Sequence, residues 1–211
     1  MTPLPRIAPM LAAASAPFDS CDYSFEVKWD GIRALAGVES AGWRLWGREQ
    51  ADYTARYPEL DFLRGWPSGT MVDGELVALD AAGRPDLRRL LGRHGLADAW
   101  RIRQARRWRP VVYIVFDLLY LRGRSLLHEP LTRRREALEE LCVGCAAESL
   151  VFSAGVVGAG AAFYRAAAAA GQEGVMAKRR DSPYRPGRRS YAWRKIKAPG
   201  RGGGRSAADG P

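Results

Sequence analysis

Lys28 closes the stretch Phe25-Glu26-Val27-Lys28 and is followed by Trp29-Asp30-Gly31-Ile32-Arg33. A lysine amine that sheds its proton has a lone pair for attack on an electrophile, whereas a guanidinium stays protonated at any physiological pH. The difference matters here because only Lys28, Lys178, Lys195 and Lys197 are lysine among 33 basic residues. The chain uses arginine wherever positive charge suffices, so the four lysines read as chemical. Lys195 and Lys197 alternate in Tyr191-Ala192-Trp193-Arg194-Lys195-Ile196-Lys197 and would share a strand face about 7 Å apart. Two ammonium groups so placed repel each other unless an anion sits between them, and a phosphate is the obvious candidate. Carboxylates accompany the lysines at Asp73, Glu75 and Glu173. Asp73 and Glu75 either point to solvent, the usual fate of acidic residues, or line a pocket with Lys28. Phe116-Asp117 sets a large aromatic before a carboxylate, which suits a pocket edge or plain core packing. Arg48 is either a phosphate contact or an ordinary surface charge.

Strands must position most of these groups. Tyr23, Phe25 and Val27 alternate with Ser24, Glu26 and Lys28, the period of a strand with one apolar face. Asp30-Gly31 reads as a tight turn, with Ile32 to Val38 returning as the partner strand of a hairpin. Residues 43–48 read as a further strand with Arg48 at its exit, and Tyr57-Pro58 opens a short helix. Residues 71–79 alternate as a strand in which Asp73 and Glu75 share a face. Val111 to Phe116 is a continuous run of β-formers, hence a buried central strand that Asp117 ends. Residues 84–109 carry nine arginines against Asp86 and Asp98, with Trp100 and Trp108 interspersed. They suit short surface helices that either track phosphates or are merely solvated. Leu131 to Leu141 reads as a scaffold helix capped by Thr132, and Ala161 to Ala170 as a helix that Gly171 ends. In the strand from Gln172 to Lys178, Glu173 and Lys178 fall on opposite faces if it is regular.

The 211 residues, 47% of them hydrophobic, suffice for one good core, so one large domain is expected. A net charge of +10 favours an anionic partner, nucleic acid ahead of a membrane surface. Cys21, Cys142 and Cys145 make no disulfide framework and no second zinc-ligand pair, so a reducing cytoplasm is the simplest setting. The prolines in Met1 to Ala16 break any secretory apolar run, and no stretch approaches a membrane span. The expected organisation is an extended lead-in over 1–22, one domain over 23–197 and a glycine-rich disordered tail over 198–211.

In order along the chain, Lys28-x-Asp30-Gly31-x-Arg33, Asp73-Gly74-Glu75, Phe116-Asp117, Glu173-Gly174 and Trp193-x-Lys195-x-Lys197 form a set. It resembles the motifs of the covalent nucleotidyltransferases, which include DNA ligases, RNA ligases and messenger-RNA capping enzymes. The resemblance is closest to ATP-dependent DNA ligases. Arg56-Tyr57-Pro58-Glu59 and Pro186-Gly187-Arg188-Arg189-Ser190 look like the ligase module of bacterial end-joining ligases, and the similarity runs over about residues 9 to 197.

The resemblance implies an α+β fold of the ATP-grasp-like DNA ligase and capping-enzyme type, with antiparallel sheets around a nucleotide pocket and helices outside. It implies that Lys28 attacks the α-phosphate of ATP, forms lysyl-AMP and releases pyrophosphate. By the same resemblance Glu26 would read the adenine and Phe116 would stack on it, while Arg33 and Glu75 hold the ribose. Asp30 and Glu173 would bind Mg2+ or Mn2+. Lys195 and Lys197 would contact the α-phosphate and favour neutral Lys28, and Arg48 would grip the 5′-phosphate of a nick in duplex DNA. Ligases of this family continue after the last lysine strand into an OB-fold domain. Only 14 residues follow Lys197, so no such domain is expected here, self-adenylylation should be slow or absent while sealing of an already adenylylated nick depends chiefly on the present pocket, and a separate OB-fold or end-joining protein would supply the missing function. Two rivals remain. An RNA ligase or capping-type guanylyltransferase would differ in base or strand preference, and a non-catalytic basic module would bind nucleic acid regardless of Lys28.

Overall fold

The alternating segments fold into two sheets. In chain order the elements of the computed structural model, which describes residues 3–199, begin with β1 (Leu11–Ala14), β2 (Ser20–Val27), β3 (Ile32–Glu39) and β4 (Gly42–Gly47). Two 3-10 segments, Thr54–Arg56 and Pro58–Gly65, lead to β5 (Thr70–Ala78), α1 (Leu87–His94), α2 (Ala99–Trp108), β6 (Val111–Leu121) and β7 (Arg124–Ser125). Then come α3 (Leu131–Val143), β8 (Leu150–Phe152), β9 (Gly155–Gly158), α4 (Gly160–Ala169), β10 (Gly174–Arg179) and β11 (Arg189–Lys197). Most of the tail expected over 198–211 lies outside the described residues.

The first sheet has the order β1-β11-β10-β2-β9. The second runs β4-β3-β5-β6-β7, with β8 alongside β6. Pairing is antiparallel as expected, except that β1 on β11 and β8 on β6 are parallel. Alternation splits each central strand between two cores. On β3, Ala34 and Ala36 face the layer under α1 and α3 with Leu60, Leu90 and Leu138, whereas Leu35 faces the other way. There Leu35 meets Met71 and Phe116 of its own sheet and Trp193 and Tyr184 from the other side, so this second layer joins the two sheets. A third layer packs Phe25, Val175 and Ile196 against Ala167 of α4. Each fully buried large side chain, such as Trp193, contributes ~1.5–3 kcal/mol.

Four local expectations are corrected. β2 and β3 do not form a hairpin: β2 pairs with β10 and β9, and β3 with β4 and β5. Lys28 to Gly31 is therefore the crossover between the sheets. The glycine serves close approach, since a Cβ at Gly31 would lie 2.2 Å from the Leu76 carbonyl oxygen on β5. Asp117 does not end its strand, because β6 continues to Leu121. Its carboxylate is buried but neutralised by Arg134 of α3, with Nε and Nη2 at 2.7 and 2.8 Å. The lead-in is not wholly apart from the sheets, for Leu11–Ala14 is an edge strand and Met10 is fully buried. Thr132 lies inside α3 and does not cap it; Pro130 occupies the N-cap.

Candidate active site

The crossover sets Lys28 at the mouth of a cavity of about 480 Å³ between the sheets. Its backbone N–H donates to the Gly174 carbonyl at 2.9 Å, and its Nζ donates to Glu173 Oε2. Glu173 precedes β10 and is held by the Ala198 N–H on its carbonyl at 2.9 Å. Gly174 has φ +147°, and a Cβ there would meet the Ile196 carbonyl oxygen at 2.0 Å. That glycine lets the chain turn under β11, so Glu173 and Lys178 both reach the cavity although strict alternation would part them. Lys195 and Lys197 line it from β11. Of the other residues singled out in the sequence, Glu26, Asp30, Arg33, Arg48, Glu75 and Phe116 line it as well. The cavity thus gathers residues 171 positions apart, from Glu26 to Lys197.

One end of the cavity is built on Glu26, which is 1% exposed. Its Oε2 accepts from Lys178 Nζ at 2.8 Å. Its Oε1 lies 2.8 Å from Arg135 Nη1, but Arg135 directs its aligned N–H groups at the carbonyls of Phe116 and Ser153, at 3.3 and 2.7 Å. Oε1 is buried and its charge is met by Arg135, although among the described residues no N–H is aligned on it as a hydrogen bond. The Lys178 ammonium sits 4.0 Å from the Phe116 ring centroid and 4.6 Å from that of Trp193, a cation over aromatic faces. Burial pushes the Lys178 amine down to about 8, against the opposing pull of Glu26.

The middle of the cavity is braced by a carboxylate that does not enter it. Asp73 is fully buried and accepts from Arg33 Nε and Nη2, each at 2.6 Å, and from the Tyr184 hydroxyl at 2.6 Å. Tyr184 Oη in turn accepts from the Met10 N–H at 2.9 Å. The Arg33 guanidinium is thereby fixed over Phe116, 4.7 Å from its centroid. Glu75, two residues along β5, faces the cavity, and burial pushes its carboxyl up to about 7 although Arg33 and Lys28 pull it down. At the far rim Arg48 stands on a turn closed by Gly47 N–H to Ala51 O at 3.1 Å and Gln50 N–H to Gly47 O at 2.9 Å, with Gln50 at φ 61°. A Cβ at Gly47 would lie 2.2 Å from Tyr53 Oη, so glycine there lets the Tyr53 ring close on the turn.

Sequence reasoning leaves out the supports. Arg135 gives no local signal, since it sits in a helix that reads as scaffold. Lys178 is marked by lysine scarcity but by nothing that pairs it with Glu26, and the bracing role of Asp73 is invisible without Tyr184. Chemically the cavity combines an amine nucleophile, two lysines on one facing strand, a recess ended by a buried carboxylate and an arginine at the rim. That is a layout for moving a phosphoryl-linked group onto nitrogen and off again.

The family described as "ATP dependent DNA ligase domain" matches residues 7–197. The "Multifunctional non-homologous end joining protein LigD" of Mycobacterium bovis is 38% identical over 198 residues, 91% of this chain and 24% of that protein. The "SPbeta prophage-derived DNA ligase-like protein LigB" of Bacillus subtilis is 30% identical over 191 residues, 90% of this chain and 67% of that protein. Among solved structures, a mycobacterial DNA ligase D complexed with ATP and MES superposes with a TM-score of 0.73. It is 36% identical and the match covers 90% of this chain and 60% of that one. The chain thus spans about a quarter of the length of the LigD relative.

Proposed function

The chain belongs to the ATP-dependent DNA ligase domain family, and we propose that it is the adenylation unit of such a ligase, forming lysyl-AMP on Lys28 and sealing breaks in duplex DNA. The observation that carries this reading is the convergence of Lys28, Lys195, Lys197 and Glu26 on one cavity. The mycobacterial neighbour's complex with ATP supports the choice of nucleotide. In the first step the neutral Lys28 amine attacks the α-phosphorus of ATP. The new P–N bond replaces the P–O bond to pyrophosphate, and the amine proton leaves with solvent. Lys195 and Lys197 meet the negative charge that grows on the α-phosphate oxygens. In the second step an oxygen of the DNA 5′-phosphate displaces Lys28 from the AMP phosphorus. In the third the 3′-hydroxyl attacks the activated 5′-phosphate, releasing AMP. Arg48, at the rim, holds that phosphate through its planar fork.

Base choice follows from Glu26. The Glu26 carboxylate, held by Lys178 and Arg135 at the end of the cavity, accepts from the exocyclic amino group of adenine, whereas guanine offers a carbonyl oxygen at the same place and two acceptors would face each other. This favours ATP over GTP, and so a ligase over a capping-type guanylyltransferase. Phe116 bounds the base, and Arg33 with Glu75 bounds the sugar. Asp30 and Glu173 present carboxylates to the cavity, and among the described residues no group of three or more ligating side chains gathers. Two carboxylates suit Mg2+ or Mn2+ that draws its remaining ligands from phosphates and water, and such an ion would offset charge on the reacting phosphate.

The test is incubation of the chain with α-labelled ATP and Mg2+ or Mn2+, followed by denaturing electrophoresis, with pre-adenylylated nicked DNA in parallel. Label that stays on the wild-type chain and disappears in both Lys28→Ala and Lys28→Arg is the expected result. Sealing of the pre-adenylylated nick without labelling would place the unit as a ligase core that awaits a separate OB-fold or end-joining partner. Absence of both activities would refute the reading.

A further inference from the structure

Helix α2 lies away from the cavity and has no role in the chemistry above. It packs against the two 3-10 segments that follow the Arg48 turn, and Ile102, 4% exposed, is its inward anchor. Helical periodicity puts Trp100, Gln104 and Trp108 on one i, i+4, i+8 row opposite Ile102. The two indoles are 60% and 75% exposed and about 12 Å apart along the axis. Neither ring packs on another aromatic or under a cation among the described residues. Arg101, Arg103 and Arg107 flank this row and are exposed, α2 itself contains no acidic residue, and none of the three forms an ion pair among the described residues. A merely solvated helix face needs charge but gains nothing from two bare indoles, which cost hydration free energy where they stand.

We propose that the outer face of α2 is a docking surface for single-stranded nucleic acid, such as the unpaired end of a broken duplex. Trp100 and Trp108 stack on bases while the flanking arginines follow the phosphates. The charge complementarity argues for a polyanion, and the bare rings argue for unpaired bases, because base faces are hidden in a duplex. The inner side of α2 packs on Thr54–Arg56, whose Arg56 lies 5.5 Å from the centroid of the cavity-lining Tyr53 ring. The inference is independent of the chemistry at Lys28.

The experiment is titration of the full chain against a fluorescein-labelled twelve-nucleotide oligothymidylate, read by anisotropy at several salt concentrations. Trp100→Ala and Trp108→Ala should each weaken binding about tenfold, the loss of one stacked base. Arg103→Gln combined with Arg107→Gln should reduce the slope of log affinity against log salt by about 1.4. Lys28→Ala should bind as the wild type does, so failure of lysyl-AMP formation leaves this result untouched. The exposure of both rings predicts an unchanged melting temperature for the tryptophan variants. Wild-type affinity in the double tryptophan variant would overturn the proposal. So would a blunt duplex that competes as well as the oligothymidylate, or binding lost on Lys28→Ala, which would assign the strand to the cavity.

Discussion

Glu26→Gln tests the reading of the base most directly. In the wild type the Glu26 carboxylate is held between Lys178 and Arg135 at the end of the cavity, and a base that donates to it gains a charge-assisted hydrogen bond of ~1.5–3 kcal/mol. The glutamine amide removes the charge and can turn either its oxygen or its NH2 toward the base. ATP should therefore lose about 10- to 100-fold in the second-order rate of lysyl-nucleotide formation, while GTP loses little or gains. The same change leaves the Lys178 ammonium buried without its carboxylate, and breaking a buried pair costs ~3–5 kcal/mol. The fully buried Lys178 has Phe116 and Trp193 as cation–π partners that soften this cost, so the fall in stability should lie at the lower end. The assay is single-turnover labelling with α-labelled ATP and GTP side by side, with urea unfolding of both proteins. A Glu26→Gln variant that keeps the wild-type ATP-to-GTP ratio would refute the reasoning, whatever its stability.

Asp73→Asn should lower unfolding stability by ~3–5 kcal/mol, because Arg33 and Tyr184 both lose a buried anion, and it should raise the KM for ATP as Arg33 loses its brace over Phe116. Urea unfolding and labelling at graded ATP check the two effects. Glu75 gives a pH signature of defined sign. Its carboxyl is raised from the ordinary range to about 7 in the folded chain, so between about pH 4.5 and 7 the folded state binds more protons than the unfolded one. Stability should then fall as pH rises through that window, by about 3 kcal/mol for a shift of this size, and remain lower above it. Glu75→Gln should remove that slope, as followed by urea midpoints from pH 4 to 8; an unchanged slope would assign it to other groups.

How much of this was legible in the sequence depends on the range of the interaction. Period-two alternation marked β2, β5, β10 and β11 because side-chain direction in a strand is a local property. Lysine scarcity marked Lys28, Lys178, Lys195 and Lys197 because amine chemistry is a property of residue type. Of the ordered motif set, Lys28, Asp30, Arg33, Glu75, Phe116, Glu173, Trp193, Lys195 and Lys197 line one cavity, whereas Asp73 and Asp117 lie buried outside it. The sequence could not decide partners. Asp30-Gly31 has the local chemistry of a hairpin turn, and only the pairing of β2 with β10 and of β3 with β5 makes it a crossover. Glu26 meets Lys178 across 152 positions, and Asp73 meets Tyr184 across 111. Such contacts exist only once both sheets have closed on the layer of Phe116 and Trp193. The residue types that could do chemistry were thus fixed locally, whereas their charge states and open valences were decided by neighbours that only the packed sheets bring within hydrogen-bonding distance.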